Sequence, residues 1–380
     1  MADSTLGTLP GFQGRVSELD GLRGLAILFV VVWHYVACLF TPPPGTLAYQ
    51  LVIPLRIAWS GVDLFFVLSG FLIGGILLDA RTSPRFFTTF YMRRFHRIFP
   101  LYYAWLAIFY VVQATPIGKH DLQSLFNHDF PAWCYPLYLQ NFFMSIRQRF
   151  GAGWLGVTWS LAVEEQFYLL LPLAVRFLKT GTLVKFVIAA ILTAPVIRLA
   201  LFASGNEYFG PYTLLPCRAD ALGCGVLCAI FLRRPAVWAW VAANRRNIYH
   251  AMAALSCCVA FLWWHSLGRI MYSVGFTWLA LFYCSWLVVS IVRPDPVVRF
   301  ILNGRFLQQL GTLAYGVYIF HQPVNDLLHA LILHAPPVVH DPSTLGVTAL
   351  AAAATFLLAK LSWRYFEKPL IKRGQARYAY

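Results

Sequence analysis

Charge is scarce in this chain. Asp, Glu, Lys and Arg make up 12% of the 380 residues, about half the share of an ordinary soluble domain. No long polar segment interrupts the apolar runs, so no attached soluble catalytic module is expected. The eight cysteines (Cys38, Cys134, Cys217, Cys224, Cys228, Cys257, Cys258 and Cys284) contain no Cys-x-x-Cys pair and lie in or beside apolar runs. They read as small buried packing residues, neither a disulfide framework nor a metal site. The first apolar run lacks a small-residue cleavage site and is too long for a signal-peptide core, so it is expected to be retained. Acidic residues number 15 against 30 basic ones, a net charge of +15. In a soluble protein this excess would suggest nucleic acid. Here the basic residues sit between apolar runs and act as topology signals, so no nucleic-acid partner is expected.

What is present is hydrophobic, 59% of the chain, in runs that recur nearly to the C-terminus. The fold expected is all-α: a polytopic membrane protein of about ten transmembrane helices around a central polar cavity. A polar N-terminal lead covers 1–21, one membrane domain covers 22–365, and a basic tail covers 366–380. The first span runs near Leu22–Phe40 and the second near Val62–Leu78, where Gly70-x-x-x-Gly74 lets a neighbouring backbone approach. The stretch 81–97 is expected to lie on the membrane surface as a basic, aromatic helix with Ser83 as N-cap and Pro84 at its first position. The third span comes next at Ile98–Ala114. Seven more begin near Trp154, Leu183, Tyr212, Ile248, Tyr272, Leu310 and Leu345.

Trp133–Met144 is too short to span comfortably. If it does not cross, 22 basic residues, from Arg15 to the tail and including Arg293, fall on the N-terminal side. Five (Arg56, Lys119, Arg147, Arg149 and Arg269) fall on the other. This asymmetry puts both termini in the cytosol and makes Trp133–Met144 a re-entrant or outer-surface segment.

Ionisable groups within the expected spans are His34, Glu164, Glu165, Arg198, Arg218, Asp220, His321, Asp326 and Lys360. Each costs a few kcal/mol at bilayer depth unless paired or wet, and together they imply the polar cavity. Arg23 and His34 are eleven residues apart, so they lie near one helix face with the imidazole roughly 16 Å along the axis from the guanidinium. A neutral imidazole suits general-base work on a hydroxyl, and a carboxylate on its other nitrogen would fix the tautomer. Glu164 is expected to approach His34 near mid-membrane and share the chemistry. Glu164 and Glu165 repel in a low dielectric, so one is protonated or pairs with an arginine such as Arg198 or Arg218.

Arg94 and Arg97, beside Arg93 and His96, either anchor the chain or clamp a multiply phosphorylated ligand. His321 either lines the cavity or fills a packing position, and sequence alone favours packing. His329, His334 and His340 do not have convincing metal-site spacing.

Six segments taken in order resemble a known family. They are Leu19–Gly24 through Trp33-His34, Gly61–Ile73, Arg93–Pro100, Trp159–Tyr168, Tyr315–His321 and Phe366–Leu370. The chain is similar over nearly its whole length to the integral-membrane acyltransferases of type three, which include bacterial O-antigen, exopolysaccharide and nodulation-factor O-acetylases and macrolide acylases. The resemblance implies transfer of an acyl group, usually acetyl, from cytosolic acyl-coenzyme A to a hydroxyl of a carbohydrate, lipid-linked glycan or glycosylated small molecule. It implies His34 as the essential histidine, with Arg23 its helical companion, and Arg94 and Arg97 at the coenzyme with Arg93 beside them.

On this reading Glu164 joins His34 in catalysis, and Asp63, Glu165, Arg218, Asp220 and His321 belong to the acceptor side. No metal is expected, and the location is a bacterial cytoplasmic membrane. Some relatives carry a C-terminal extracytoplasmic domain; without one, acceptor chemistry is expected within the membrane domain. Two roles stay open for His34, general base and covalent acyl carrier. The rival class is a transporter or flippase, whose buried charges would form a substrate or proton path, but no inverted repeat relates the two halves.

Overall fold

The computed structural model describes residues 16–119, 122–126, 129–264, 268–292 and 294–380. Most of the N-terminal lead, with Arg15, and Arg293 lie outside them. Ten helices of 16 residues or more carry the fold. They are α1 Ser17–Val32, α2 Gly61–Asp79, α3 Phe86–Ala114, α4 Trp159–Phe177, α5 Thr180–Ala203, α6 Leu215–Phe231, α7 Arg245–Trp264, α8 Phe276–Ile291, α9 Arg305–Leu333 and α10 Pro342–Ser362.

Seven stretches, containing α1, α2, α3, α5, α6, α8 and α10, are long and apolar enough to cross a membrane. Helix α4 has the length but carries Glu164, Glu165 and Arg176. The chain is an all-α polytopic membrane protein; among the described residues only one isolated bridge, Phe40 to Val339, is β-like.

Glycines set two of the closest approaches. A Cβ on Gly311 of α9 would lie 1.9 Å from the Asp20 carbonyl oxygen, and one on Gly24 would lie 2.0 Å from that of Leu307. Helices α1 and α9 therefore meet backbone to backbone. The same holds between α2 and α6, where a Cβ on Gly70 would lie 2.0 Å from the Leu222 oxygen. The Gly70-x-x-x-Gly74 spacing is thus a packing device.

Beyond Val32 the first helix continues as a π-helical turn, Trp33–Ala37, that carries His34. Such turns insert an extra residue into an α-helix and so rotate the later side chains about its axis.

Residues 81–97 differ from expectation. They do not form a separate surface helix: α3 runs unbroken from Phe86 to Ala114 with Pro100 inside it, and Ser83 precedes the start rather than capping it. Protein covers the basic part, because Arg93 Nε donates to the Tyr378 carbonyl (2.7 Å), Thr89 donates to that of Ala379 (3.0 Å), and Gly374 packs on His96. The first half of α3 packs Phe86, Phe90 and Ile98 in one apolar cluster and its second half packs Leu101, Tyr102 and Trp105 in another, with Phe99 against both.

Trp133–Met144 holds only a short turn and the start of the eight-residue helix Gln140–Arg147, about 12 Å long and too short to span. Some of its polar groups bond to protein. Gln140 donates to the Thr158 carbonyl (2.9 Å), and Asn141 exchanges hydrogen bonds with Gln166.

All eight cysteines are free thiols, but Cys38 and Cys257 are exposed and so are not packing residues. They stand on faces that no other described element covers.

Candidate functional site

A cavity of about 340 Å³ opens among α1, α2, α3, α4, α9 and the C-terminal segment. Arg23, Arg94 and Arg97 line it together. Arg94 and Arg97 are three apart and share a face of α3, as helical spacing requires. Neither has a hydrogen-bond or ion-pair contact among the described residues, whereas Arg23 reaches Asp20 at 3.4 Å. Arg93 is turned a quarter-circle away, where its guanidinium meets Tyr378 and lies 5.0 Å from the Tyr380 ring. It does not line the cavity.

Glu164 also faces this space, near Ser69 and within electrostatic range of all three arginines. Ser69 in turn shares a 2.7 Å hydrogen bond with Tyr168. Between these groups the walls are apolar, with Leu68, Leu72, Ile73 and Ile98. A second carboxylate, Glu367, enters from the C-terminal side within range of Arg97 and accepts a hydrogen bond from Ser362 (2.8 Å).

Away from the arginines, Ser160 and Tyr318 line the cavity. On the far side of Tyr318 sits a pair of histidines. His321, fully buried on α9, has its ring centroid 5.7 Å from that of Tyr318 and 4.8 Å from that of His34. His321 Nε2 is 3.3 Å from His34 Nδ1, and the same Nδ1 is 2.9 Å from the Val30 carbonyl. The close meeting of α1 and α9 at Gly24 and Gly311 positions this pair. Tyr35 adds a tie from the next residue, donating to the His321 carbonyl at 2.6 Å.

The expected partnership of Glu164 with His34 is not formed. Glu164 lies about one turn past Ser160 on α4 and faces the arginine-lined cavity, while His34 faces another imidazole and a backbone carbonyl. The group on the second nitrogen of His34 is therefore not a carboxylate.

Arg198 and Arg218 do not serve Glu164 or Glu165 either. Arg198 pairs with Asp220 (2.9 Å), Arg218 pairs with Asp63, and all four side chains are buried. Thr277 donates to Asp220 at 2.6 Å, and the Arg218 guanidinium lies 3.8 Å from the Phe276 ring centroid. A buried cation held by a carboxylate and an aromatic face reads as a structural tie among α2, α5, α6 and α8. None of the four lines the cavity. Glu165 stands beside Glu164 within range of Arg94 but outside the lining. Asp326 is half-buried and Lys360 exposed. Among the described residues no group of three His, Cys, Asp or Glu side chains could hold a metal.

Sequence reasoning missed Ser69, Ser160, Tyr168, Tyr318 and Glu367. Each lies within a segment that carried the resemblance, which was the available signal.

These helices define an integral membrane protein with a basic-ended internal cavity. A family model described as an acyltransferase domain matches residues 16–364, and the chain belongs to that type-three acyltransferase family. It is 27% identical to the peptidoglycan O-acetyltransferase OatA of Listeria monocytogenes over 96% of this chain and 57% of the relative. It is 28% identical to a putative peptidoglycan O-acetyltransferase of Bacillus subtilis (94% and 55%) and 26% identical to an O-acetyltransferase of Staphylococcus aureus (95% and 58%). The chain thus spans just over half the length of these curated relatives. No solved structure matches.

Proposed function

We propose that this chain is a membrane O-acyltransferase that moves an acyl group, acetyl first among candidates, from cytosolic acyl-coenzyme A to a carbohydrate hydroxyl. One observation carries the reading: two arginines without ionic contacts share a cavity with Arg23, and a histidine pair stands just past the other end. Guanidinium forks suit the coenzyme's phosphates, and the apolar walls between suit its pantetheine arm.

In this reading His34 Nε2 takes the proton as the acceptor oxygen bonds to the thioester carbonyl carbon. The carbon–sulfur bond breaks and the thiolate leaves with that proton. In the carrier version the same nitrogen attacks the carbonyl first. Glu164, facing the cavity beside the arginines, helps place the thioester arm rather than partnering His34. The relatives' names make a hydroxyl of an envelope glycan the first acceptor to test.

The basic asymmetry supports ten spans in a bacterial cytoplasmic membrane with both termini in the cytosol. The domain division is a membrane acyltransferase unit from 22 to 365 and a basic cytosolic segment from 366 to 380. The test is coenzyme A release from acetyl-coenzyme A by purified protein with and without envelope glycan. Acceptor-dependent release supports transfer; transport of either compound without release would make the chain a transporter.

A further inference from the structure

We propose that His321 is a positioning residue for His34, holding it in the tautomer whose Nε2 is the reacting atom. The inference deepens the acyltransfer reading and rests on it.

The hydrogen bonds determine where the protons lie. His321 Nδ1 faces two carbonyl oxygens, those of Tyr318 at 2.8 Å and Val317 at 3.2 Å. A carbonyl oxygen only accepts, so Nδ1 carries the hydrogen, and in the neutral ring Nε2 is left with its lone pair. That lone pair faces His34 Nδ1 at 3.3 Å. His34 Nδ1 in turn faces the Val30 carbonyl at 2.9 Å. Between two acceptors, His34 Nδ1 must be the protonated nitrogen, and His34 Nε2 keeps its lone pair. This Nε2 has no hydrogen-bond partner among the described residues.

The arrangement places an imidazole where an orienting carboxylate is used in other base-catalysed sites, but without adding a charge to the membrane interior. A carboxylate there would need its own partner. A neutral imidazole anchored on two backbone carbonyls needs none. When His34 takes a proton on Nε2, its Nδ1–H becomes a charge-assisted donor, and His321 Nε2 is already aimed to accept it. Val30 alone offers one acceptor; His321 supplies the second from another helix and fixes the ring plane, with the two rings inclined at 64°.

The test compares His321→Leu and His321→Gln in correctly inserted protein, each with nitrogen-15 NMR of the histidine rings and steady-state kinetics. In the unaltered protein His34 is expected to show a protonated Nδ1 and an unprotonated Nε2. His321→Leu should lower kcat about 10- to 100-fold, part of what an acid–base group supplies, and raise the Nε2-protonated form of His34. KM for acetyl-coenzyme A should stay within about twofold, since the coenzyme grip lies elsewhere. His321→Gln, whose amide oxygen accepts, should recover much of kcat. If both variants keep normal kcat, or both lose it equally with the His34 tautomer unchanged, His321 is packing only and the proposal fails. If His34→Ala, run in parallel, keeps full turnover, the acyltransfer reading of His34 fails, and the NMR result still reports the tautomer by itself.

Discussion

The hydroxyls of Ser160 and Tyr318 stand 2.5 Å apart, one on α4 and one on α9, where the cavity ends short of the histidine pair. Both hydroxyls also lie near the Val157 carbonyl, Tyr318 at 2.9 Å and Ser160 at 3.4 Å, so one donates to the other and the second to that carbonyl. The bond ties the helix bearing Glu164 to the helix bearing His321. Removing either hydroxyl breaks the same link. Ser160→Ala and Tyr318→Phe should each lower stability by about 0.5–1.5 kcal/mol, because one buried hydrogen bond is lost while the remaining hydroxyl keeps the Val157 carbonyl. The double variant should lose clearly less than the sum of the two. Thermal unfolding in detergent measures the cycle; simple additivity would mean that the two hydroxyls do not act through one bond.

The three neighbouring arginines of α3 should behave differently. Arg94 and Arg97 line the cavity, whereas Arg93 is occupied by the C-terminal residues. Losing one charge-assisted phosphate contact costs about 1.5–3 kcal/mol, a factor of roughly 10 or more. Arg94→Ala and Arg97→Ala should each weaken acyl-coenzyme A binding by that factor, and Arg93→Ala should leave it within about twofold. Calorimetric titration decides it, and equal loss at all three positions would point to a general basic surface.

The buried pairs Arg198–Asp220 and Arg218–Asp63 should govern stability rather than affinity. Arg198→Met leaves Asp220 buried with Thr277 and its own neighbours but no cation, at a cost of about 3–5 kcal/mol. The folded fraction should bind acyl-coenzyme A normally, because neither residue reaches the cavity. Normal stability with weakened binding would instead return these charges to the substrate path.

The sequence made the helical membrane fold legible because hydrocarbon admits few alternatives to helices. It exposed His34 and Arg23 because an ionisable side chain there is costly, and Arg94 with Arg97 because helical spacing puts them on one face. The pairing of charges was not legible: Arg218 meets Asp63 across 155 positions of chain, and no periodicity links distant helices. The same blindness hid the His34–His321 contact, made by α1 and α9 across 287 positions. The continuous course of α3 was hidden by Pro100 and the change from basic to apolar residues, which suggest a boundary where the helix runs on. The π turn at Trp33–Ala37 has no composition signal.

His34 is the residue on which the mechanism stands. It is carried by a π turn at the end of the helix that bears Arg23, and it meets His321 beyond the cavity's far end. Arg23 stands roughly 16 Å away along that helix and lines the cavity with Arg94 and Arg97, so binding of the coenzyme and reaction at the thioester should be separable. His34→Ala removes the imidazole and leaves the guanidiniums untouched. Loss of a general base costs about 10²–10⁴-fold in rate, and loss of a covalent carrier at least as much. His34→Ala should therefore abolish measurable acyl transfer while acyl-coenzyme A affinity stays within a few fold of normal. Acetyl transfer to envelope glycan and calorimetric binding, measured on the same inserted preparation, check both halves. Near-normal turnover would move the chemistry to Glu164, the carboxylate inside the cavity, and parallel loss of binding and turnover would mean that His34 supports the cavity rather than the reaction.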